Sequence, residues 1–245
     1  MAESDGKPTA EQSLEMLREL TKDDDARTRA MAVAALAKVH DERGFAPVLV
    51  TLFDPVDEVR MAAATALGIF GDARAYEPLL QGLRDPNAAV AANCAWSLGQ
   101  IADTRCLEEL FAIVADEAYE PGVRQAAATA IGERSALAGS DIATSDALIE
   151  RARAVLLGAL AAEDDELRAA CVWSLGHLPA DAQTTQACIE LLHDSYTWVV
   201  RYAIEALAHF GDDAALGPLE ELTQGEDVEL AELAAQAVQM LRQGA

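Results

Sequence analysis

The chain has few lysines and few aromatic residues. Lysine occurs only as Lys7, Lys22 and Lys38, and aromatic residues make up 5% of the 245 residues. Acidic residues outnumber basic ones by 42 to 18, which gives a net charge of −24. Because proteins bind the nucleic-acid backbone largely by neutralising phosphates with Lys and Arg, this balance argues against nucleic acid as a partner.

Long apolar runs and paired cysteines are also missing. No segment reaches the roughly 20 apolar residues of a membrane span, and residues 1–8 show no apolar stretch typical of a signal peptide. The cysteines form no CxxC pair; they are Cys94, Cys106, Cys171 and Cys188. We therefore expect a cytoplasmic protein without membrane contact, whose thiols are reduced, structural and not metal ligands.

What the chain does contain is a recurring phrase of the form Val-Arg-x-x-Ala-x-x-Ala-Leu-Gly. Its anchor positions are Arg29, Arg60, Ala91, Arg124, Arg168, Val200 and Ala231, at steps of 31, 31, 33, 44, 32 and 31 residues. A fixed period of this size is typical of a stacked repeat array. The step of 44 indicates an inserted loop at about 135–146. It is interpreted either as a functional loop or as a flexible excursion.

Residues 45–71 show what one repeat contains. A short apolar segment at 45–53 is interrupted by Asp54-Pro55, and residues 58–70 carry apolar side chains at helical spacing. Gly71 follows, where a left-handed helix terminus is expected. Each repeat is therefore predicted to form helix A, a tight turn, helix B and a Gly-Asp turn. At the start of the first repeat, Thr9-x-x-Gln12 has the form of a capping box.

The segment from Asp57-x-Val59-Arg60 through Leu67-Gly68-x-x-Gly71-Asp72 resembles the HEAT repeat, most closely the short subclass of phycobilisome-lyase-like proteins. The resemblance implies an all-α fold, a right-handed α-solenoid of about seven two-helix repeats. We expect a flexible tail at 1–10 and a single solenoid over 11–243. The predicted units are about 11–43, 44–74, 75–105, 106–137, 147–181, 182–213 and 214–243.

Comparison of equivalent positions across the repeats distinguishes buried positions from exposed positions. Seven residues after each anchor the side chain is Leu, Ile or Val, and four residues after it the side chain is Ala, Val or Ile. Both columns are predicted to be core, and the second consists of Val33, Ala64, Ala95, Ala128, Val172, Ile204 and Ala235. Cys94 and Cys171 share a third column with alanines, which indicates a small buried residue.

A stripe of positions one, five and nine residues after each anchor accepts polar side chains and is predicted to be exposed on the concave B-helix face. The candidate partner-binding residues on this stripe are Trp96, Gln100, Gln125, Thr129, Glu133, Trp173, His177, Arg201, Glu205 and His209. Tryptophan is enriched in binding hot spots. Trp96 and Trp173 are interpreted either as such anchors or as rings that cover a neighbouring helix. Trp198 is a candidate for an exposed rim position.

The resemblance also implies a structural role for the anchor arginines, which in this family usually pair with a carboxylate near the turn between repeats. The predicted ladder consists of Arg29, Arg60, Arg124 and Arg168. The residue balance itself, with little lysine, retained arginine and abundant acid, resembles that of haloarchaeal proteins. An alternative is that the acidic surface serves a basic partner.

The sequence favours a non-catalytic adaptor that binds a partner protein on the B-helix surface, in assembly or signalling, with sensory taxis as one such setting. No phosphate-binding loop, GxSxG elbow, His-Glu pair or Cys/His nucleophile appears. We expect no metal, no cofactor, and a monomer or weak homo-oligomer. The alternative hypothesis is a lyase-like protein that holds a tetrapyrrole or similar flat cofactor between Trp96 and Trp173.

Overall fold

The computed structural model describes residues 8–137 and 145–244, and these residues form helices and turns without a β-strand. The A helices are α1 (Ala10–Leu20), α3 (Phe45–Thr51), α5 (Tyr76–Gly82), α7 (Thr104–Ala115), α9 (Asp146–Ala159), α11 (Ala182–Glu190) and α13 (Leu216–Leu222). The B helices are α2 (Ala26–Val39), α4 (Asp57–Phe70), α6 (Ala88–Gln100), α8 (Pro121–Ala136), α10 (Asp165–Leu175), α12 (Thr197–Phe210) and α14 (Val228–Gly244). The all-α prediction is confirmed.

The chain divides into two compact units, residues 1–103 and 104–245. The first contains α1–α6 and the second α7–α14. The prediction of one continuous solenoid over 11–243 stays a prediction. Residues 138–144 of the predicted inserted loop lie outside the described residues, as do residues 1–7 of the predicted tail. Helix α1 already begins at Ala10, within the segment predicted as tail.

Local sequence signals explain where several helices begin and end. The Thr9 hydroxyl accepts from the backbone N–H of Gln12 at 3.2 Å, and the Gln12 side chain accepts from the Thr9 N–H at 2.9 Å. This confirms the predicted capping box, which satisfies two donors at the start of α1. Gly71 ends α4 in the left-handed region with φ +62°, as predicted. Gly211 ends α12 in the same way with φ +70°.

The core follows the predicted columns of small and branched apolar side chains. All residues seven positions after an anchor are buried. Six of the seven residues four positions after an anchor are buried too, but Ala235 is exposed, so its assignment to the core was wrong. Helix α14 packs on α12 and α13. No later helix follows it in the described chain, so the face that carries Ala235 has nothing to cover it.

Small residues let adjacent B helices approach closely. In the first unit Ser97 on α6 donates its hydroxyl to the Ala64 carbonyl on α4 at 2.8 Å. In the second unit Ser174 on α10 donates to the Ala128 carbonyl on α8, also at 2.8 Å. These bonds satisfy helix carbonyls across the packed surface and fix how α4 meets α6 and how α8 meets α10.

Three of the four predicted ladder arginines bind an aspartate of the next helix pair. Each guanidinium makes two N–H···O bonds of 2.7–3.0 Å, in the pairs Arg29–Asp54, Arg60–Asp85 and Arg168–Asp194. Each aspartate also accepts the backbone N–H two residues further on. The arginine hydrogen bonds are the main reason why the pKa of each aspartate lies below its ordinary value of 3.8. These charges therefore tie consecutive pairs together and order the turn between helices A and B.

Arg124 departs from the predicted ladder. Its Nε donates to the Val114 carbonyl of α7 at 3.0 Å instead of binding a carboxylate. The other ladder aspartates lie six residues before the next anchor, and that position before Arg168 is held by Ala162. Because a methyl group cannot accept a hydrogen bond, the carboxylate partner expected for Arg124 is missing from its place in this pair.

The cysteine side chains are buried, as predicted for small core residues. Burial raises the pKa of the Cys94, Cys171 and Cys188 thiols to about 12. Thiols with such pKa values carry almost no thiolate at neutral pH, and the thiolate is the reactive form. None of the helices in residues 8–137 and 145–244 has the length and apolar character needed to cross a bilayer.

Candidate functional site

The candidate partner-binding residues all retain some exposed surface, and all of them except His177 lie on B helices. In the first unit they lie on α6, as Trp96 and Gln100. In the second unit they lie on α8 (Gln125, Thr129, Glu133), α10 (Trp173, with His177 just beyond it) and α12 (Arg201, Glu205, His209). Trp96 and Trp173 belong to different units, and a shared ligand between them stays a prediction. The second unit alone brings several of these residues to one place.

An open cavity of about 370 Å³ lies along α8, α10 and α12. Four aromatic side chains contribute to its wall: Trp173, Tyr196, Trp198 and Tyr202. The rest of the wall consists of Gln125, Thr129, Glu166, Ala169 and Ala170. The cavity thus joins three candidates from the exposed stripe, Gln125, Thr129 and Trp173, with the predicted rim residue Trp198.

Trp173 is positioned by a glycine on the neighbouring helix. A Cβ placed on Gly132 of α8 would lie 2.7 Å from Cζ3 of the Trp173 ring and 2.5 Å from Ser174 Oγ. The indole therefore occupies space that only a glycine at position 132 leaves open. Trp173 both packs against α8 and lines the cavity. One part of its ring covers the neighbouring helix, and another part is available as a binding anchor.

His177 extends the aromatic surface beyond Trp173. The two ring centroids are 4.2 Å apart, and His177 Nδ1 lies 2.9 Å from the Trp173 carbonyl oxygen. A second cavity of about 270 Å³ begins here, lined by Trp173, Gly176, His177, Tyr202, Glu205, Ala206 and His209. Trp173 and Tyr202 line both cavities, so the two form adjoining parts of one groove along the second unit.

Trp198 forms the exposed side of the first cavity. Half of its surface remains accessible, and its ring centroid lies 5.8 Å from that of Tyr202. The guanidinium carbon of Arg201 lies 5.4 Å from the Trp198 ring centroid. Arg201 also reaches Glu205 and Glu229, but only at 3.8 and 4.0 Å. The Trp198 ring is therefore held by aromatic and cationic contacts and is not part of the core.

Sequence comparison of the repeats missed Tyr196, Tyr202 and Glu166 as members of this site. Tyr202 stands two residues after its anchor, in a column that is not part of the exposed stripe. A signal was nevertheless present, because the chain has only 3 Trp, 4 Tyr and 5 Phe. Three of these twelve aromatic residues, Tyr196, Trp198 and Tyr202, fall within seven positions. Local aromatic density would have identified this stretch.

The described residues show no group of three or more His, Cys, Asp and Glu side chains that could hold a metal ion. His177 and His209 both line the second cavity, with Glu205 as the acidic side chain there. The surface offers aromatic faces, amide and hydroxyl groups and a few carboxylates. These groups suit the binding of an organic or peptide group.

Comparison with known proteins identifies the repeat. The family profile for HEAT repeats matches residues 13–84, 76–154 and 153–239, which is most of the chain. The chain belongs to the HEAT-repeat family. An α-solenoid fold is thereby confirmed, whereas the short subclass and a haloarchaeal origin stay predictions. None of the curated proteins compared with this HEAT-repeat chain is significantly similar in sequence.

Several solved structures share the fold at low sequence identity. A HEAT-like repeats protein from the archaeon Thermococcus onnurineus NA1 has a TM-score of 0.61 and 14% identity, covering 97% of this chain and 99% of that one. The CpcE–CpcF complex of phycocyanin lyase from Nostoc sp. PCC7120 has a TM-score of 0.56 and 18% identity, covering 98% and 99%. An engineered protein has a TM-score of 0.58 and 20% identity, covering 93% and 68%. These similarities concern the fold alone.

Proposed function

We propose that this HEAT-repeat protein is a non-catalytic adaptor that binds a segment of a partner protein along the B-helix surface of its second unit. The observation that carries the proposal is the aromatic groove on α8, α10 and α12. A chain with 5% aromatic residues exposes Trp198 beside Tyr202 and Trp173. Aromatic anchors of this kind are enriched among the residues that dominate protein interfaces.

The polar groups of the groove suit a peptide. The Gln125 amide and the Thr129 hydroxyl both line the first cavity, and both side chains keep exposed surface. An amide can donate and accept, and so can a hydroxyl. Both groups can therefore satisfy backbone N–H and C=O groups of an extended segment while its side chains contact the rings. Repeat arrays commonly use such extended surfaces for binding.

The test compares partner capture by two variants with matched chemistry. Trp198→Ala removes an aromatic side chain that is 50% exposed, and Phe53→Ala removes one that is 58% exposed in the first unit. Neither change opens a large core cavity, so both variants should fold, which circular dichroism checks. In a pull-down at molar salt, we expect Trp198→Ala to lose a defined protein that the unchanged chain and Phe53→Ala retain. Equal capture by both variants would contradict the proposal.

The proposed setting is the cytoplasm, with high salt as the working condition and signalling as the pathway class, taxis included. The net charge of −24 is tolerable there, because the Debye length falls to about 3 Å at 1 M salt. We propose a monomer or weak homo-oligomer. Light scattering of the purified protein at molar salt measures the mass directly, and a stable larger assembly would overturn this part of the proposal.

A second candidate is a lyase-like protein that binds a tetrapyrrole or similar flat cofactor. The observation in its favour is an aromatic cavity of about 370 Å³ in a fold similar to that of the CpcE–CpcF complex of phycocyanin lyase. Absorption spectra of the protein with and without added bilin test this hypothesis. A red shift that Trp173→Phe alters would support it, and an unchanged pigment spectrum would exclude it.

A further inference from the structure

The wall of the first cavity has the composition of a cation-binding site. Four of its nine lining residues are aromatic, Glu166 is acidic and none is basic. The face of an aromatic ring carries negative partial charge and attracts a cation placed over it. Glu166 is exposed at the start of α10. It adds a full negative charge to the same wall.

The chain itself shows that one of these rings accepts a guanidinium group. The guanidinium carbon of Arg201 lies 5.4 Å from the Trp198 ring centroid, within the roughly 6 Å range of a cation–π contact. Its distances of 3.8 and 4.0 Å to Glu205 and Glu229 exceed the approximately 2.7–2.9 Å of a charge-assisted hydrogen bond. Arg201 does not line the cavity, so the interior of the cavity stays open to a second cation.

We propose that this cavity binds an arginine side chain of the partner, presented by a basic segment that lies along α8, α10 and α12. The inference rests on the proposed adaptor function and specifies what its partner must carry. The guanidinium stacks between the aromatic side chains and donates to the Glu166 carboxylate. Gln125 and Thr129, which line the same cavity from α8, accept further N–H groups.

Arginine fits this wall better than lysine for three reasons. Its guanidinium is planar and stacks on aromatic faces, it offers five donors in a fixed arrangement, and it is more weakly hydrated than an ammonium group. The last property matters at high salt. Exposed ion pairs are screened there, whereas stacking in a cavity loses little. A basic segment can therefore be recognised by this chain even where its net charge of −24 exerts little long-range attraction.

The test uses three capped pentapeptides, Gly-Gly-X-Gly-Gly, in which X is arginine, lysine or citrulline, the uncharged analogue of arginine. Binding is followed at molar salt by NMR of the indole N–H groups of Trp96, Trp173 and Trp198, assigned with Trp→Phe variants. We expect the arginine peptide to shift the Trp173 and Trp198 signals and to leave Trp96 unchanged. Its affinity should exceed that of the other two peptides by at least about threefold.

Two matched variants test whether the charge of Glu166 contributes to binding. Because Glu166 is exposed and its ion pair is screened at molar salt, Glu166→Gln should weaken binding of the arginine peptide by about twofold or less there, and by about two- to fivefold at about 0.15 M salt. Glu163→Gln changes an exposed acid close in sequence that does not line the cavity, so it should have no effect. Equal affinities for arginine and citrulline, equal affinities for arginine and lysine, or equal shifts of all three indoles would each overturn the inference.

The two proposals can fail separately. Protein capture that depends on Trp198, with no preference for the arginine peptide, would leave the adaptor in place and overturn the arginine site. Selective binding of the arginine peptide, with no capture that depends on Trp198, would support the arginine site and contradict the adaptor. The absence of both results would overturn both proposals.

Discussion

Replacing Gly132 with alanine tests how the site is built into the helix packing. The added Cβ would lie 2.5 Å from Ser174 Oγ, 2.7 Å from Trp173 Cζ3 and 2.8 Å from Ser174 Cα. Rotation of the serine hydroxyl relieves the first contact, but Ser174 Cα belongs to the backbone of α10. Helix α10 must therefore move away from α8, and the Trp173 ring must leave its place on the cavity wall.

Two opposing effects determine how much Gly132→Ala changes the free energy of unfolding. Overpacking a close helix contact typically costs about 1–3 kcal/mol. Replacing glycine with alanine inside a helix gains about 0.5–1 kcal/mol. The net expectation for Gly132→Ala is a loss of about 0–2.5 kcal/mol in the free energy of unfolding. Gly158→Ala is the matched control, because a Cβ there meets nothing within 4 Å and only the gain applies.

The assay is thermal unfolding of both variants followed by circular dichroism. For a chain of this length, 1 kcal/mol corresponds to about 2–4 °C in melting temperature. Gly132→Ala should melt several degrees below Gly158→Ala, and the indole signal of Trp173 should move while that of Trp96 stays. A Gly132→Ala variant that melts at or above the control, with Trp173 unchanged, would refute this account of the packing.

Four further predictions concern the rest of the fold. The ladder aspartates have pKa values below 3.8 in the folded chain, so the stability they contribute is present above that pH and is lost as the pH falls through the lowered values. Urea unfolding at pH values from 5 to 2 should show this loss. Asp85→Asn should reduce the dependence of the free energy of unfolding on pH. A double-mutant cycle between Arg60 and Asp85 should return a coupling of about 1–2 kcal/mol, and a value near zero would mean that the pair is not structural. Gly71→Ala places a Cβ at φ +62° and should cost about 1 kcal/mol in urea unfolding, in contrast to Gly158→Ala. The buried thiols should not react with a thiol reagent in the native protein at pH 8, and all four should react in denaturant; rapid native labelling would contradict their burial.

The repeat sequence was sufficient to predict the packing roles of most columns. Each repeat meets nearly the same neighbours, so one position carries the same physical requirement in every unit. Leu67 and Leu98 are buried for the same reason, and Arg29 and Arg60 bind an aspartate in the same way. The prediction failed where the surroundings change. Ala235 lies on α14, the last helix of the described residues. For Arg124, the position that holds the ladder aspartate in other pairs is occupied by Ala162.

The sequence alone therefore determined the HEAT-type helix pairs, the core columns and the candidate stripe on the B helices, because these follow from periodic spacing. Only the tertiary structure decided which stripe residues form a cavity. Tyr196, before α12, and Tyr202, outside the stripe, join Trp173 and Trp198 because α10 and α12 pack side by side. A cavity is the space that neighbouring side chains leave unfilled. That space depends on the departures of individual residues from the repeat, which periodicity does not describe.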